Sequence, residues 1–537
     1  MQSRAPLAAV AFVLLIVLAW AVDYFLLPAY NLGAVSFWVL GGCGLALLGV
    51  VAAAAVGSPK PMVYGAIAGT CLVILAFAAS MGSWLVFPGN DKRYAALLAE
   101  TAYGADDFAA EFSGADLILP TIDKELSVKL AQARLGPYGA QFSLNEDIFT
   151  AVAVDGPDGV RVLRNTPLDY SGLFVALAGK GSVGYLQVDQ VSAEARLVET
   201  PQRLFYSPGA VFGRDLARLV RFADRTALLG DFSFEIDDSG KPYWIVPILK
   251  RTIGLFGGSQ PDGIFLVDPA SGSVERFAAG AEPAWIDRTA PTSVVLEQAD
   301  ARLSLAGGWV NKYLGQKRDV FQLSDGYNYA FSRSGGVGRT WLVSGVTSPS
   351  EADQTLTGFM LINMKTKEAR RYPIGGITEM RAMEIAENDE RVRAQTLTAT
   401  WPILTSLGGE PVFFLFLKNQ VQRQRFVYVD ASSGARVAMG ETHEAAAADY
   451  ARLVGSRADP AAAAAETSGQ VLRVRAEGAA NEFLLAGDAY RYAVDRGLSN
   501  GSRFLQAGDR VALRYRESAA GDGVRFVVEL RNLTLQE

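Results

Sequence analysis

The sequence predicts a membrane α-helical anchor of three spans and an α+β soluble body of tandem modules, each a helix plus an antiparallel meander. A small all-β barrel, OB-like or SH3-like, closes the chain. Three observations predict this. Three apolar runs crowd the first 87 of 537 residues, and none follows. A strand ending in Val-Asp or Ile-Asn, a tight turn and a second strand recur four times between Tyr185 and Gly434. Five short alternating segments occupy residues 470–537.

The runs Leu7–Leu27, Ala34–Val56 and Met62–Phe87 each reach the roughly 20 apolar residues that a helix needs to cross a bilayer. Residues 1–88 are therefore read as three transmembrane helices, and residues 89–115 as a juxtamembrane helical segment. Arg4 precedes the first span and Lys60 lies in the second loop, while the first loop has no basic residue. Both charges share one side if the N-terminus is cytoplasmic, which places the body outside. Tyr24, Phe25, Tyr30, Phe37, Trp38, Trp84 and Phe87 then form an interfacial belt on the outer side. Lys92 and Arg93 follow the third span and count the other way, but a large domain is exported regardless of such charges. The first run starts like a signal peptide, yet its apolar character continues through Phe25-Leu26-Leu27 and two more spans follow, so it is read as uncleaved. Asp23 lies near the outer end of the first span. An intramembrane carboxylate suggests function by default, and its depth here suggests an interfacial residue reaching the headgroups.

Composition narrows the chemistry. Cys43 and Cys71 both lie in spans, leaving the body without thiol catalysis or Cys-bound metal. His443 is the single histidine, in Glu441-Thr442-His443-Glu444 at the start of an Ala-rich helix, and reads as a solvated first-turn residue. A Ser-His-Asp triad would have to recruit that one imidazole. Residues 91–537 hold 48 basic against 55 acidic residues with mixed signs, which excludes a phosphate-backbone partner and hence nucleic acid. A body of this length buries its cores without disulfides.

The repeated hairpins are Tyr185–Ser192, Ile264–Gly272, Phe359–Lys367 and Phe426–Gly434. Asp189, Asp268, Asn363 and Asp430 open the turns, where a short side chain accepts backbone N–H bonds two residues on. Gly272 and Gly434 suit a left-handed closing residue; the first and third copies lack that glycine, so their turns should be less ideal. Helix candidates precede each hairpin: Ile122–Ala133, Val211–Leu228 opened by Ser207-Pro208, Val294–Leu314 and Glu379–Val392. The modules are bounded at 116–200, 201–285, 286–372 and 373–456.

The fourth copy, with its Ala382-x-x-x-Ala386 helix, Pro411-Val412-Phe413-Phe414 strand and Val427–Gly434 hairpin, resembles the PepSY domain. Copy two resembles it well, copy three less and copy one least. Leu119–Asp123, Lys250–Gly258 and Tyr372–Glu379 make residues 115–455 similar to large uncharacterised membrane-anchored envelope proteins of Gram-positive bacteria. The resemblance implies an envelope protein without a known activity; PepSY domains elsewhere are associated with restraint of peptidases or with protein binding, and they bring no catalytic residue.

Arg457–Gly469 reads as a linker, broken from the preceding helix by Pro460. The barrel strands after it are Val471–Ala476, Glu482–Ala486, Tyr490–Val494, Arg510–Tyr515 and Val524–Leu530. Gly254–Gly258 and Ser334–Gly338 lack the Gly-Lys-Ser/Thr of a phosphate loop and read as hairpin loops. Asp237-Asp238 reads as a turn and Asp106-Asp107 as a polar helix face.

No residue is assigned to catalysis, a cofactor or a metal. The reading is a non-catalytic envelope protein of the cell membrane whose partners are the bilayer and other envelope or membrane proteins. Two other readings stand beside it. One is a structural subunit of a larger membrane complex, packed through Gly41, Gly42, Gly44 and Gly49 of the second span. The other is an envelope enzyme acting on peptidoglycan or glycan with unidentified carboxylates.

Overall fold

The computed structural model describes residues 5–535, apart from 85–88, 105–106, 109–116, 157–158, 316, 334–338, 350–354, 408, 420–421, 455–464, 478–479, 497 and 518–523. The chain opens with α1 (Ala5–Leu26), α2 (Val35–Val56) and α3 (Lys60–Ser80), all three long and apolar enough to cross a membrane. α2 and α3 meet through glycines. A Cβ added to Gly69 would lie 2.3 Å from the Gly42 carbonyl oxygen, and one added to Gly49 would lie 2.8 Å from Gly65 Cα. Gly42 and Gly49 are thus consumed by packing within the chain, whereas Gly44 has nothing within 4 Å of where a Cβ would stand.

The juxtamembrane segment is only partly helical, which corrects the expectation for 89–115. After α4 (Asn90–Ala95) it turns into β1 (Glu100–Ala102), which runs parallel to the edge strand Ala369–Tyr372 of the third unit. Glu100 there meets Arg302 at 3.1 Å and Arg371 at 3.7 Å, and this pairing holds the segment extended. The next piece, β2 (Leu117–Ile118), also joins the third unit rather than the first.

Four helix-plus-sheet units follow. The first has α5 (Lys124–Gln132), β3 (Phe142–Leu144), β4 (Thr150–Gly156), β5 (Gly159–Tyr170), the short α6 (Leu173–Ala178), β6 (Ser182–Asp189) and β7 (Ala195–Leu204). The second has α7 (Leu216–Ala223), β8 (Leu228–Leu229), β9 (Ser233–Ile236), β10 (Pro242–Ile253), β11 (Gly257–Val267) and β12 (Val274–Ala278). The third has α8 (Thr292–Leu305), α9 (Trp309–Tyr313), β13 (Gln322–Leu323), β14 (Asn328–Ser332), β15 (Thr340–Thr347), β16 (Thr355–Asn363) and β17 (Ala369–Tyr372). After β18 (Gly376–Ile377), the fourth has α10 (Glu379–Glu387), β19 (Thr398–Ala399), β20 (Ile403–Leu407), β21 (Glu410–Lys418), β22 (Arg423–Asp430), β23 (Val437–Gly440) and α11 (His443–Val454).

All four sheets share one plan. Two short strands pair with successive stretches of one strand, which then pairs with the hairpin that ends in the Asp/Asn turn. The sequence pattern anticipated the meander and, in the third unit, both short strands as Val320–Leu323 and Tyr327–Phe331, but not that every unit breaks its first strand this way. Each repeated turn closes alike: Asp189, Asp268, Asn363 and Asp430 accept backbone N–H bonds two residues on at 2.9, 2.8, 3.0 and 3.1 Å. Gly272 and Gly434 have positive φ, as expected; Ala193 and Lys367 take the same conformation at φ 62° and 60° despite their Cβ.

All four predicted helices are shorter in the fold; the first runs Lys124–Gln132 and the fourth ends at Glu387, and the other two are cut for visible reasons. The second starts at Leu216, capped by the Asp215 carboxylate on Arg218 N at 2.7 Å, while the Ser207 hydroxyl donates to Asp169 at 2.9 Å. The third breaks at Gly307-Gly308 into α8 and α9. The sheets of units one and two share a core around Tyr185, Phe234 and Trp244, and those of three and four one around Phe359, Tyr372 and Phe413. Ile118, Ala151, Val162 and Phe331 join the two pairs.

Five strands close the terminal barrel: β24 (Ala465–Glu477), β25 (Ala480–Leu485), β26 (Arg491–Asp495), β27 (Arg510–Glu517) and β28 (Val524–Asn532), in the order β24-β25-β26-β28-β27. β26 and β28 run parallel, and α12 (Asn500–Arg503) bridges β26 and β27. β24 begins inside the expected linker, because Ala465–Gly469 pair with Tyr515–Val511; residues 455–464 lie outside the described residues.

The second unit docks on the membrane helices. Arg218 Nε donates to the Tyr24 carbonyl and Arg221 Nε to that of Leu27, both at 3.1 Å. Asn31 Nδ2 donates to Thr226 O at 2.8 Å. The Gly254–Gly258 loop is the β10–β11 hairpin turn, and Phe256 N donates to Ser83 Oγ beyond α3 at 2.8 Å. The body therefore sits at the end of the helices opposite Lys60.

Candidate functional site: a cleft between three units

A cleft of about 800 Å³ opens between α5, the Tyr327–Phe331 segment of unit three and the Thr400–Phe416 region of unit four. Its size lies within the range of ordinary ligand pockets. α5 forms a charged wall because Asp123, Lys124 and Glu125 stand at its N-terminus and Lys129 in its last turn. The Asp123 carboxylate caps the helix by accepting from Leu126 N at 2.9 Å and also pairs with Lys418. Glu125 bonds Lys129 at 2.8 Å and Lys418 at 2.6 Å, and these two ammonium groups hold its carboxyl down at about 2. It stays ionised at neutral pH and has no proton to give.

The facing wall is aromatic. Tyr327 and Tyr329 meet edge to face at 5.7 Å, and the Tyr329 hydroxyl lies 2.8 Å from that of Thr292. Trp401 lies against Gly326, where a Cβ would come within 2.5 Å of the indole, and Asn328 Nδ2 donates to the Trp401 carbonyl at 3.0 Å. At the floor, Arg164 donates to Gln190 at 3.1 Å and to the Phe149 carbonyl at 2.8 Å. Burial, and then the nearby Arg288, pull its guanidinium down to about 10, still charged at neutral pH. Charged and aromatic walls facing across a cleft suit a peptide segment carrying both apolar and charged side chains.

A second cleft, of about 720 Å³, lies between units one and two. Its charges are largely paired: Arg161 with Asp189 at 2.7 Å and Lys241 with Asp268 at 2.9 Å.

Sequence reasoning missed a buried junction. Glu235 of β9 accepts from Asp287 N at 3.4 Å. The Asp287 carboxylate accepts from Ala153 N at 3.4 Å, Arg339 N at 3.1 Å and the Thr340 hydroxyl at 3.3 Å. Arg339 in turn grips Asp155 through two bonds of 2.9 Å. Burial, and then Asp287, push the Glu235 carboxyl up to about 8. Such a shift often marks catalysis, but Glu235 is fully enclosed and, among the described residues, its carboxyl bonds only Ser233 and Asp287 N, and it is Asp287 that reaches units one and three. The junction clamps units one, two and three together. The signal in the sequence was slight: one Glu between Phe234 and Ile236.

Other expected residues fall as follows. Asp237 accepts from Ser239 N and Lys241 N, both at 2.9 Å, and forms a turn. Asp107 accepts from Gly104 N at 2.8 Å, while Asp106 lies outside the described residues, as does the Ser334–Gly338 loop between the paired β14 and β15. His443 does open α11, but it is not solvated. Its ring packs on Phe414 and Phe426, its Nε2 lies 2.8 Å from the Tyr428 hydroxyl, and burial lowers its pKa. Asp23 pairs with Arg225 of the body. Among the described residues, no group of three or more His, Cys, Asp or Glu is arranged to hold a metal ion. The chain matches no known protein-family model, and no curated protein matches it.

Proposed function

We propose that the chain is a non-catalytic, membrane-anchored envelope protein whose extracytoplasmic modules bind or scaffold another protein. The observation that carries this is the cleft whose walls come from three separate units: it exists only in the assembled array, and its exposed rings and charges suit a peptide. The four equivalent units are read as PepSY-like, a family associated with protein binding. The terminal barrel is read as OB-like, from its strand order and its parallel β26–β28 pair. Arg4 and Lys60 mark the cytoplasmic end of the spans, and the body docks at the other end. Gly41, Gly42 and Gly49 of α2 face α3 and only Gly44 stands clear, which leaves less of that span for assembly with a further subunit and weakens the structural-subunit reading.

The test is purification of the full chain in mild detergent with its partner, compared with the Trp401→Ala/Tyr327→Ala double variant. Both rings edge the cleft. A discrete partner that is lost in the variant at unchanged melting temperature supports the reading. A partner retained in full contradicts it.

A further inference from the structure

We propose that the body makes two additional contacts with the bilayer surface, through α6 with neighbouring Phe212 and through α9 with Leu314. Among the described residues of the four units, the most exposed large apolar side chains are Phe174 at 86%, Leu314, just past α9, at 74%, Val310 at 64% and Leu173 at 61%. Leaving such side chains in water forfeits the burial that the rest of the body achieves.

Their placement identifies what covers them. Each patch is tied to the exit of a different span. Arg214 donates to the Gly179 carbonyl at the end of α6. Arg218, four residues on, donates to the Phe212 carbonyl at 2.5 Å and to the Tyr24 carbonyl of α1 at 3.1 Å, its guanidinium 4.2 Å from the centre of the Tyr24 ring. Phe222 lies 6.2 Å from the same ring. α6 and Phe212 are therefore one chain of contacts from the end of the first span. On the other side, Trp309 N donates to Asp91 at 2.9 Å. The preceding Asn90 donates to the Gly82 and Trp84 carbonyls at 2.9 and 2.8 Å, directly after the third span. A span fixes the bilayer plane at its exit, so side chains tethered there stand at headgroup height.

The surrounding charge fits a lipid surface. Lys180, Arg203 and Arg214 are exposed around the first patch, and Lys317 and Arg318 beside the second, with Asp319 the one exposed acid next to them. Apolar side chains ringed by lysine and arginine bury the former in the acyl boundary and set the latter among anionic headgroups. Two such feet, on units one and three, would stop the body from swivelling about its dock on unit two.

The test uses the full chain in vesicles of phosphatidylcholine and phosphatidylglycerol, with Cys43 and Cys71 replaced by alanine. A nitroxide is attached after Phe174→Cys, Leu314→Cys or, as a control at an exposed position of α10, Met380→Cys. Collision with oxygen, which partitions into lipid, is compared with collision with a water-soluble nickel chelate. An oxygen-to-nickel ratio several-fold higher at 174 and 314 than at 380 is expected. A ratio at either foot equal to that at 380 overturns the proposal. So does low collision with both reagents, the signature of cover by protein rather than lipid.

Discussion

The Asp23 carboxylate, near the end of the first span, accepts from the Arg225 guanidinium of the second unit and from the Tyr30 hydroxyl at 2.9 Å. A carboxylate that the membrane alone would disfavour thus becomes one jaw of the clamp between anchor and body. Asp23→Ala is expected to cost about 0.5–1 kcal/mol, the range of a partly exposed ion pair. Proteolysis of the loop at residues 27–34 should speed up in the detergent-solubilised chain. Asp23→Asn, which still accepts from Tyr30, should cost less.

Glu235 makes stability depend on pH. In the unfolded chain its carboxyl ionises near the ordinary 4.5, whereas the buried group holds its proton to about 8. Between those values only the folded state carries the proton, so stability falls as pH rises from 4.5 to 8. Glu235→Gln cannot ionise and keeps an acceptor for Asp287 N. At pH near 8 it should be the more stable protein by about 2–4 kcal/mol, and near pH 5 the two should melt alike. Thermal melts of both proteins at the two pH values check this.

The four turns predict opposite signs for one kind of exchange. Ala193 has a left-handed backbone that glycine adopts freely, so Ala193→Gly should stabilise by about 1 kcal/mol. Gly272→Ala should destabilise by at least about as much, because its Cβ would lie 2.3 Å from the Tyr206 ring. Melting temperatures moving in the same direction would break the equivalence of the copies.

Asp430 accepts from Ser432 N at 3.1 Å and from the Ser433 hydroxyl at 2.5 Å. Asp430→Ala should cost about 0.5–1.5 kcal/mol, and Asp430→Asn less, since Asn363 does the same work in the third copy. If Asp430→Asn instead abolished partner binding at unchanged melting temperature, the turn would be a site and not scaffold.

What was legible in the sequence was local or periodic. The spans are continuous apolar runs. The barrel strands alternate, and the turn Asp and Asn residues work through N–H groups two residues away. What stayed hidden depends on distant partners. β1 is a strand only because Ala369–Tyr372 lies beside it. Asp215 caps α7, while Ser207 bonds Asp169, far along the chain. The cleft draws Asp123, Tyr327 and Trp401 from three units, and no spacing along the chain announces that they meet. Leu119–Asp123, Lys250–Gly258 and Tyr372–Glu379 looked distinctive without a reason. In the fold each is a junction: Thr121 bonds unit four through Arg423 at 2.9 Å, Gly254 abuts Gly82 after the last span, and Glu379 reaches back to Gly345 N at 2.7 Å.

The central claim is that the three-unit cleft holds a protein partner outside the cytoplasm. A photo-crosslinking amino acid at the exposed position Gln132 on α5, activated in intact cells, tests it most directly. The account predicts one discrete adduct that disappears in the Trp401→Ala/Tyr327→Ala background and is absent when the crosslinker stands at Met380 instead. No adduct at Gln132, or the same adduct from both positions, would contradict it.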